Sequence, residues 1–266
     1  MVRAMSRDPS VAAAEGARGR RVPFGGQDVD EAEKAGLVGA IFATVAPRYD
    51  LMNDLMSGGI HRLWKRQMVD RLGAPLPARV LDLAGGTGDI ALRVLDRAQA
   101  SEDCTVIVCD INPAMLEVGR DRAWDRGWIR RPAWLCADGE SLPLADSSFE
   151  ACTIAFGIRN FTHIDRALAE IARVLRPGGR FLCLEFTPEI SAPLRPAYDL
   201  FSHHVIPAIG EAVVGDGDAY RYLVESIRRF PDPDRFAAMI GAAGFAGIRV
   251  RRLAGGIAAL HTAWRT

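Results

Sequence analysis

The hydrophobic positions between residues 79 and 187 alternate between short β-type runs and segments with helical spacing. Strands are predicted where β-type residues cluster, at 79–84, 105–110, 133–136, 150–156 and 180–187. Helices are predicted between them, at about 88–99, 113–126 and 163–175. Strands that alternate with helices are typical of a parallel sheet covered by helices on both faces. The pattern therefore predicts an α/β fold built on a doubly wound, mostly parallel sheet.

The end of the chain departs from this alternation. The runs IRVRRL (248–253) and IAALHTAWR (257–265) are separated only by Ala-Gly-Gly. Two β-type runs joined by so short a link predict a hairpin, which makes the last strand antiparallel. Together with the five strands before it, the hairpin predicts a sheet of seven strands.

A single domain is predicted over residues 27–266. Its first part, 27–72, has helical spacing with a break at Pro47 and is predicted to form an N-terminal helical lid. In residues 188–233 the alternation stops, which predicts an insertion before the final hairpin. Residues 1–26 are rich in Ala, Arg and Gly without periodicity and are predicted to be a disordered tail.

Two helix starts carry capping signals. Asn112 precedes Pro113, which is the pattern of an N-cap followed by proline at the first helical position. Thr162 lies three residues before Asp165, the spacing of a capping box. Each pair predicts the residue at which a helix begins.

Composition narrows the class of protein. The 266 residues are 49% hydrophobic and 25% charged, as in ordinary globular domains. Lys+Arg and Asp+Glu number 33 each, so the chain lacks the positive charge that binding to nucleic acid requires. No apolar run approaches the roughly 18 residues that span a bilayer, and no signal-peptide core is visible. A cytoplasmic protein without a nucleic-acid partner is expected.

Cysteine and histidine spacing gives no metal signal. The five cysteines form no CxxC pair and fall mostly in apolar runs, which favours buried thiols in a reducing compartment. The five histidines lack zinc-ligand spacing. A metal-free protein is therefore predicted.

A glycine loop lies between the first predicted strand of the sheet and the helix after it. Its residues 84–88 read Ala-Gly-Gly-Thr-Gly, and Asp82 precedes the loop inside the strand. Gly86, Thr87 and Gly88 would let a ligand approach the backbone and the helix N-terminus. Asp110 ends the next strand, where a carboxylate suits the hydroxyls of an adenosine ribose. The loop is predicted to bind a nucleotide.

Charge around the loop discriminates among nucleotides. An ATPase loop needs a lysine after the last glycine, but Asp89 stands there. A dinucleotide loop is formally matched by Gly86-x-Gly88-x-x-Ala91, yet Asp82 and Asp89 would repel a pyrophosphate. The two acids instead suit the ammonium and sulfonium of S-adenosylmethionine. A methyltransferase is favoured, and two alternatives stay open: a NAD-dependent oxidoreductase, and a catalytically silent assembly subunit of the same fold.

Several longer stretches resemble one enzyme family, the C-methyltransferases of ubiquinone and menaquinone biosynthesis. The resemblance extends from about residue 24 to the C-terminus. It is carried by PRYDLMNDLMSGGIHRLWK (47–65), LDLAGGTGD (81–89), FGIRNFTHID (156–165), RVLRPGGRFLCLEF (173–186) and YRYLVESIRRFPDPD (220–234). The glycine loop and Arg-Pro-Gly-Gly occur in many methyltransferases, whereas Tyr-Asp-Leu-Met-Asn-Asp and Phe-Gly-Ile-Arg-Asn are specific to this family.

The resemblance implies a reaction and a cofactor site. S-adenosylmethionine would donate a methyl group to a ring carbon of a polyprenylated benzoquinol, or of demethylmenaquinol. The cofactor positions of the family match here at Thr87, Asp110 and the pair Asp138-Gly139. Two departures are visible: Asp138-Gly139 stands where relatives more often have Asn-Ala, and Ala155 replaces a serine. Loss of that hydroxyl would remove one contact with the cofactor.

Candidate catalytic groups follow from the reaction. A quinol carbon becomes nucleophilic when a neighbouring hydroxyl loses its proton, so the site must favour the phenolate. Arg159 is predicted to stabilise that charge or relay the proton, and Asn160 to orient a hydroxyl, since both follow the fourth predicted strand. The alternatives are a surface ion pair for Arg159 and a helix cap for Asn160. Tyr49 in the lid is a candidate acid/base partner, with a packing role as the alternative. His203 and His204 are alternative bases.

The isoprenoid tail of such a substrate also needs a binding surface. Residues 197–215 are apolar and contain no Lys or Arg, so they could line a channel for the tail. The alternative is an ordinary packing helix at a homodimer contact or in a biosynthetic complex. A transient visit to the membrane surface, peripheral to the inner membrane, is expected because the substrate resides in the bilayer.

Overall fold

Nine strands and seven helices are present in the residues that the structure, a computed structural model, describes: 20–46, 51, 54, 57–98, 104–191 and 217–266. The strands are β1 Arg21–Phe24, β2 Gln27–Asp30, β3 Arg79–Leu83, β4 Thr105–Asp110, β5 Ala133–Cys136, β6 Phe149–Ala155, β7 Leu175–Phe186, β8 Phe245–Leu253 and β9 Ala258–Arg265. The helices are α1 Glu31–Val45, α2 His61–Asp70, α3 Asp89–Ala98, α4 Pro113–Asp125, α5 Ile164–Val174, α6 Gly217–Arg229 and α7 Pro233–Ala242. None of the helices in these ranges has the length and apolar content needed to cross a lipid bilayer.

Seven of the strands form one sheet in the order β5-β4-β3-β6-β7-β9-β8. All neighbours pair in parallel except that β9 runs antiparallel to both β7 and β8. The prediction of a doubly wound, seven-stranded sheet with an antiparallel last strand is confirmed. The strand order reverses on either side of β3, so a crevice is expected at the carboxyl ends of β3 and β6.

The central strands of the sheet are buried on both faces, which explains their nearly continuous apolar runs. In β3, Val80 and Leu81 point to opposite faces and both have no exposed surface. Val80 belongs to the core under α2 and α3, and Leu81 to the core under α5 and α7. The same pattern of burial places the carboxyl end of β3 at the centre of the molecule.

The N-terminal segment differs from its prediction in two places. Arg21–Phe24 pairs with Gln27–Asp30 as an antiparallel hairpin, so the predicted tail of residues 1–26 extends too far, and the predicted lid begins with a strand. One face of the helix α2 is also buried, because Trp64 and Met68 pack in the core formed with α3 and β7. The helix α2 is therefore part of the core, whereas α1 lines the cavity at the carboxyl ends of the strands.

One of the two predicted caps is confirmed and the other is wrong. Asn112 Oδ1 accepts the N–H of Ala114 at 3.0 Å at the start of α4. The helix α5 begins after His163, and Thr162 does not cap it. The carboxylate of Glu140 instead accepts the N–H groups of Thr162 and His163, at 2.6 and 2.9 Å. A long-range carboxylate has taken the place of the local hydroxyl.

Two elements near the C-terminal half also differ from expectation. The strand β7 begins at Leu175, five residues before the predicted 180, because Leu175 pairs with Phe149 before an irregularity in the β6–β7 register. The helix α7 was not predicted at all. Of the predicted insertion, α6 is described, whereas residues 192–216, with His203 and His204, lie outside the described residues.

Candidate active site

A cavity of about 550 Å³ opens at the carboxyl ends of the central parallel strands, where the topology predicts a crevice. Its walls include most of the residues predicted from the sequence: Asp82, Gly86, Thr87, Asp110, Asp138, Gly139 and Asn160. Gly88 and Arg159 are described but do not line it, and Tyr49 lies outside the described residues. The structure thus brings seven of the ten predicted side chains or backbones to one site.

The glycine loop approaches the cavity with a bare backbone. Gly86 has a left-handed φ of 54°, and a Cβ there would lie 2.9 Å from Met115 Cε. Gly88 serves packing instead, because a Cβ on it would lie 2.7 Å from the ring of Trp134. Of the predicted loop contacts, Gly86 and Thr87 line the cavity, whereas Gly88 packs against Trp134.

Backbone strain marks the ends of β3 and β6. Ala84 and Phe156 have φ of 50° and 61°, values that residues with a Cβ rarely adopt. Both residues line the cavity. Strain of roughly 1–3 kcal/mol for each such residue is typical of functional sites. Here the two strained residues lie where the chain leaves β3 and β6, the strands that flank the crevice.

Asp110 joins the loop to the next strand. Its Oδ2 accepts the N–H of Gly86 at 2.8 Å, and its Oδ1 accepts the N–H of Asn112 at 2.9 Å. Burial raises the pKa of Asp110, and the backbone N–H groups of Asn112, Gly86 and Ile111 partly offset this. A carboxylate has about four acceptor positions, so the group can still accept a ribose hydroxyl. This geometry fits the adenosine site predicted from the sequence.

The adenine side of the cavity is formed by Asp138 and Gly139. Asp138 Oδ1 accepts the N–H of Glu140 at 2.9 Å, which fixes the side chain in a turn and leaves Oδ2 as a free acceptor. A Cβ on Gly139 would lie 2.6 Å from the ring of Phe161. Glycine at position 139 therefore lets the backbone lie against the ring of Phe161.

The lid helix α1 is held over the cavity by three polar contacts to different elements. Lys34 Nζ donates to the carbonyl of Phe161 at 2.9 Å, and Glu31 pairs with His163 at 2.7 Å. On the other side, Asn112 Nδ2 donates to the carbonyl oxygen of Gly39 at 2.9 Å. These contacts anchor α1 as part of the cavity wall, and the helical lid over 27–72 stays a prediction.

Asp82 lies at the base of the cavity and is 1% exposed. Its Oδ1 accepts the hydroxyl of Thr153 at 2.9 Å and its Oδ2 the N–H of Ala91 at 3.2 Å. Burial raises the pKa of Asp82 to about 7, against the lowering effect of these hydrogen bonds. A cationic ligand above the carboxylate would favour its charged form.

We predict that Asp82→Asn flattens the pH dependence of stability in the ligand-free protein. The folded-state pKa of Asp82 is raised to about 7, above its ordinary value of 3.8. Between these values only the folded state holds the proton, so the free energy of unfolding falls as pH rises, by up to about 1.4 kcal/mol per pH unit. Urea unfolding of both proteins from pH 4 to pH 8 measures this slope; an equally steep slope in the variant would contradict the raised pKa.

Arg159 is placed differently from its prediction. Its guanidinium Nη1 pairs with Glu185 Oε1 at 2.6 Å and donates to the carbonyl of Phe156 at 2.7 Å. Both charged side chains are 1% exposed. The predicted direct contact between Arg159 and a quinol oxygen is therefore corrected: Arg159 lies behind the cavity wall, where its charge is already paired.

Asn160, in contrast, lies on the wall, as predicted. The phenol of Tyr222, on α6, donates to Asn160 Oδ1 at 3.1 Å. Burial raises the pKa of Tyr222 to about 12, so the phenol keeps its proton. Because Oδ1 is occupied, the Nδ2 group of Asn160 is the one available to a ligand in the cavity.

Sequence reasoning missed three residues that the site depends on. Glu185 is a lone charge in the apolar run 181–186, and that pattern could have singled it out. Lys65 shares the buried face of α2 with His61 and Met68, at spacings of four and three residues, which is another visible signal. Tyr222 carries no such mark, because its partner lies 62 residues away.

No three histidine, cysteine or acidic side chains are grouped as a metal site in the part of the chain that the structure describes. The expectation of a protein without metal stays a prediction.

Comparison of the chain with known proteins gives consistent matches over nearly its whole length. The family model described as the ubiE/COQ5 methyltransferase family matches residues 27–265. The ubiquinone/menaquinone biosynthesis C-methyltransferase UbiE of Dinoroseobacter shibae is 53% identical over 242 residues, covering 91% of this chain and 96% of the relative. The mitochondrial 2-methoxy-6-polyprenyl-1,4-benzoquinol methylase of Arabidopsis thaliana is 49% identical, covering 90% of this chain and 88% of the relative.

Solved structures add evidence on the fold. A SAM-dependent methyltransferase of Thermotoga maritima matches with a TM-score of 0.60 and 19% identity, covering 86% of this chain and all of that chain. At this identity the match shows a shared fold and not a shared substrate. The fold of this chain is thus shared with a known methyltransferase.

Proposed function

Since this chain belongs to the ubiE/COQ5 methyltransferase family, we propose that it methylates a ring carbon of a polyprenylated benzoquinol, and of demethylmenaquinol, with S-adenosylmethionine as the methyl donor. The chain is an S-adenosylmethionine-dependent C-methyltransferase of ubiquinone and menaquinone biosynthesis. Family membership decides between the methyltransferase and the oxidoreductase that the glycine loop alone left open. The observation that carries the site assignment is a single cavity lined by Asp82, Gly86, Asp110 and Asn160.

The described residues fit the cofactor in shape and charge. A bare backbone at Gly86, a free acceptor on Asp110 and one on Asp138 are suited to an adenosine, and Asp82 to a cationic centre. When bound, S-adenosylmethionine supplies a methyl group on a sulfonium that a carbon nucleophile can attack. The lid contacts from α1 exclude water from above, which strengthens electrostatic effects inside the cavity.

Asn160 is proposed to hold the oxygen of the quinol that becomes a phenolate. Its Oδ1 is occupied by Tyr222, so its Nδ2 donates toward the developing negative charge. Arg159 acts as a positioning residue: by binding Glu185 and the carbonyl of Phe156, it fixes the turn that carries Asn160. Tyr49 remains our proposed acid/base partner.

Access to the quinol is proposed to occur at the membrane surface. The isoprenoid tail is insoluble in water, so the enzyme must meet the bilayer transiently to collect its substrate. Residues 197–215 are proposed to line the path of the tail. A peripheral position at the inner membrane, as a homodimer or within a biosynthetic complex, is consistent with this route.

The proposed function is tested by expressing the chain in a strain that lacks this methylation step. We expect recovery of the methylated quinones, identified by mass spectrometry as products one methylene heavier than the accumulated precursors. The ratio of recovered ubiquinone to menaquinone reports the preferred ring. Failure to convert either precursor, by a protein that is expressed and folded, would refute the proposal.

Asn160→Asp is expected to lower kcat by about 10²- to 10³-fold, the usual cost of losing one donor to a developing oxyanion. The aspartate keeps the acceptor for Tyr222 but replaces the donor with a second negative charge. Binding of S-adenosylhomocysteine is expected to stay within about twofold, since the cofactor contacts are elsewhere in the cavity. Steady-state kinetics with the quinol and calorimetry with S-adenosylhomocysteine check both values, and an unchanged kcat would remove Asn160 from the reaction.

A further inference from the structure

The methionyl end of the cofactor carries a negative group that the predicted site leaves without a partner. This end is a zwitterion with an ammonium and a carboxylate. Asp82 accounts only for a positive group, and Asp89 is already paired with Lys65 and Arg93. Four basic side chains line the cavity: Arg20, Lys65, His163 and Arg166. Of these, Lys65 is the one buried beside the glycine loop, with a side chain that is 4% exposed.

The position of the Lys65 ammonium is set by two contacts. Its Nζ lies 2.9 Å from Asp89 Oδ2, at the start of the helix after the glycine loop. It also lies 5.9 Å from the ring centroid of Phe156, at the end of β6. Lys65 therefore places a positive charge between the carboxyl ends of β3 and β6.

The ammonium has donors to spare. An ammonium carries three N–H groups, and among the described residues the one acceptor within hydrogen-bond distance of Lys65 Nζ is Asp89. Asp89 itself has a second cation, Arg93, at 3.0 Å. Burial alone would raise the pKa of Asp89, but Lys65 and Arg93 together hold it at about 2. The Asp89 carboxylate stays charged, and Lys65, which lines the cavity, has two N–H groups beyond the one that binds Asp89.

The positions of Asp138, Asp110 and the glycine loop along the cavity wall also place the methionyl end near Lys65. Asp138 follows β5, Asp110 ends β4 and the glycine loop follows β3, which are three neighbouring strands. An adenosine that lies against Asp138 and Asp110 extends its other end past the loop toward Lys65. We propose that Lys65 binds the α-carboxylate of the methionyl group and so selects for the complete amino-acid end of the cofactor. This proposal rests on the proposed function.

The test compares two ligands that differ in one group. S-adenosylhomocysteine and its decarboxylated analogue share the adenosine, the sulfur and the amine, and only the first has the carboxylate. We expect the original protein to prefer S-adenosylhomocysteine by about 10- to 100-fold, which is the usual range for a hydrogen bond between charged groups. In Lys65→Met this preference is expected to collapse to about twofold, while the analogue still binds with nearly its original affinity. Isothermal titration calorimetry measures all four dissociation constants.

A matched control comes from the other partner of Asp89. Arg93→Met removes the same charge from the same carboxylate, but Arg93 does not line the cavity. We expect it to keep the preference for S-adenosylhomocysteine. Lys65→Arg, which keeps the cation, is expected to keep most of it. Lys65→Gln, which fills similar space and can still donate to Asp89, provides the measurement if the methionine variant does not fold.

Two outcomes overturn the proposal. If Lys65→Met loses affinity for both ligands equally, then Lys65 acts only by supporting the fold of the loop. If the preference survives without a cation at position 65, another group binds the carboxylate. A protein that binds neither ligand before any substitution would instead contradict the proposed function itself, so the two failures are distinguishable.

Discussion

Gly86→Val is expected to raise the dissociation constant for S-adenosylhomocysteine by at least about 100-fold, or about 2.7 kcal/mol. Two effects act together. The φ of 54° at Gly86 is strained for any residue with a Cβ and most of all for a β-branched one. A Cβ would also lie 2.9 Å from Met115 Cε, at the point where the backbone approaches the ligand. Calorimetry with the purified variant measures the loss.

The chain provides a matched control for the strain. Gly127 has a φ of 82°, and a Cβ there would meet nothing within 4 Å. Gly127→Val therefore imposes backbone strain after α4 without touching the cavity. We expect it to lower the melting temperature but to leave the affinity within about twofold, since distant sites act independently. Equal affinities in the two variants would mean that the glycine loop does not hold the cofactor.

The parts of the site that follow from strand ends were predictable from the sequence. Asp82 and Asp110 belong to adjacent strands of a parallel sheet, and the carboxyl ends of such strands share one edge. Once the alternation of strands and helices is recognised, the meeting of these acids with Gly86 follows without further information. Asn160 was predictable for the same reason, because it follows β6, the other neighbour of β3.

The partners of these residues were not predictable, because they depend on contacts between distant segments. The sequence places Arg159 after β6, on the side of the crevice. The fold brings Glu185 of β7 beside it, 26 residues further along the chain. The predicted cap at Thr162 failed in the same way, since Glu140 reaches its N–H group from 22 residues earlier. A local pattern identifies which residues can form a hydrogen bond, but the fold selects the partner.

The missed helix α7 had a readable signal. Asp232 caps it by accepting the N–H of Arg235 at 2.8 Å, and Pro233 occupies its first position. This is the same pattern that correctly predicted the start of α4. Phe236 and Ile240 are both fully buried and lie four residues apart on one face. The Asp232-Pro233 pair and the apolar pair four residues apart therefore carried the signal for this helix in the sequence.

Arg159→Met is expected to lower the free energy of unfolding by about 3–5 kcal/mol, the usual cost of leaving one partner of a buried ion pair alone. The side chain of Glu185 is 1% exposed, and burial already raises its pKa even with Arg159 present. Without the guanidinium, the charged carboxylate has lost its main compensation. Urea unfolding followed by circular dichroism measures the loss, and a change below about 1 kcal/mol would contradict a tightly buried pair.

The double variant Arg159→Met/Glu185→Gln separates the charge from the packing. The glutamine can still accept the N–H of Phe186, which Glu185 Oε1 accepts at 2.9 Å, but it carries no charge to bury. It should recover about 2 kcal/mol relative to Arg159→Met alone at pH 8. The recovery should shrink as pH falls, because burial raises the pKa of the Glu185 carboxyl and the protonated form costs less to bury. A recovery that did not depend on pH would mean that shape, and not the buried charge of Glu185, makes Arg159 necessary.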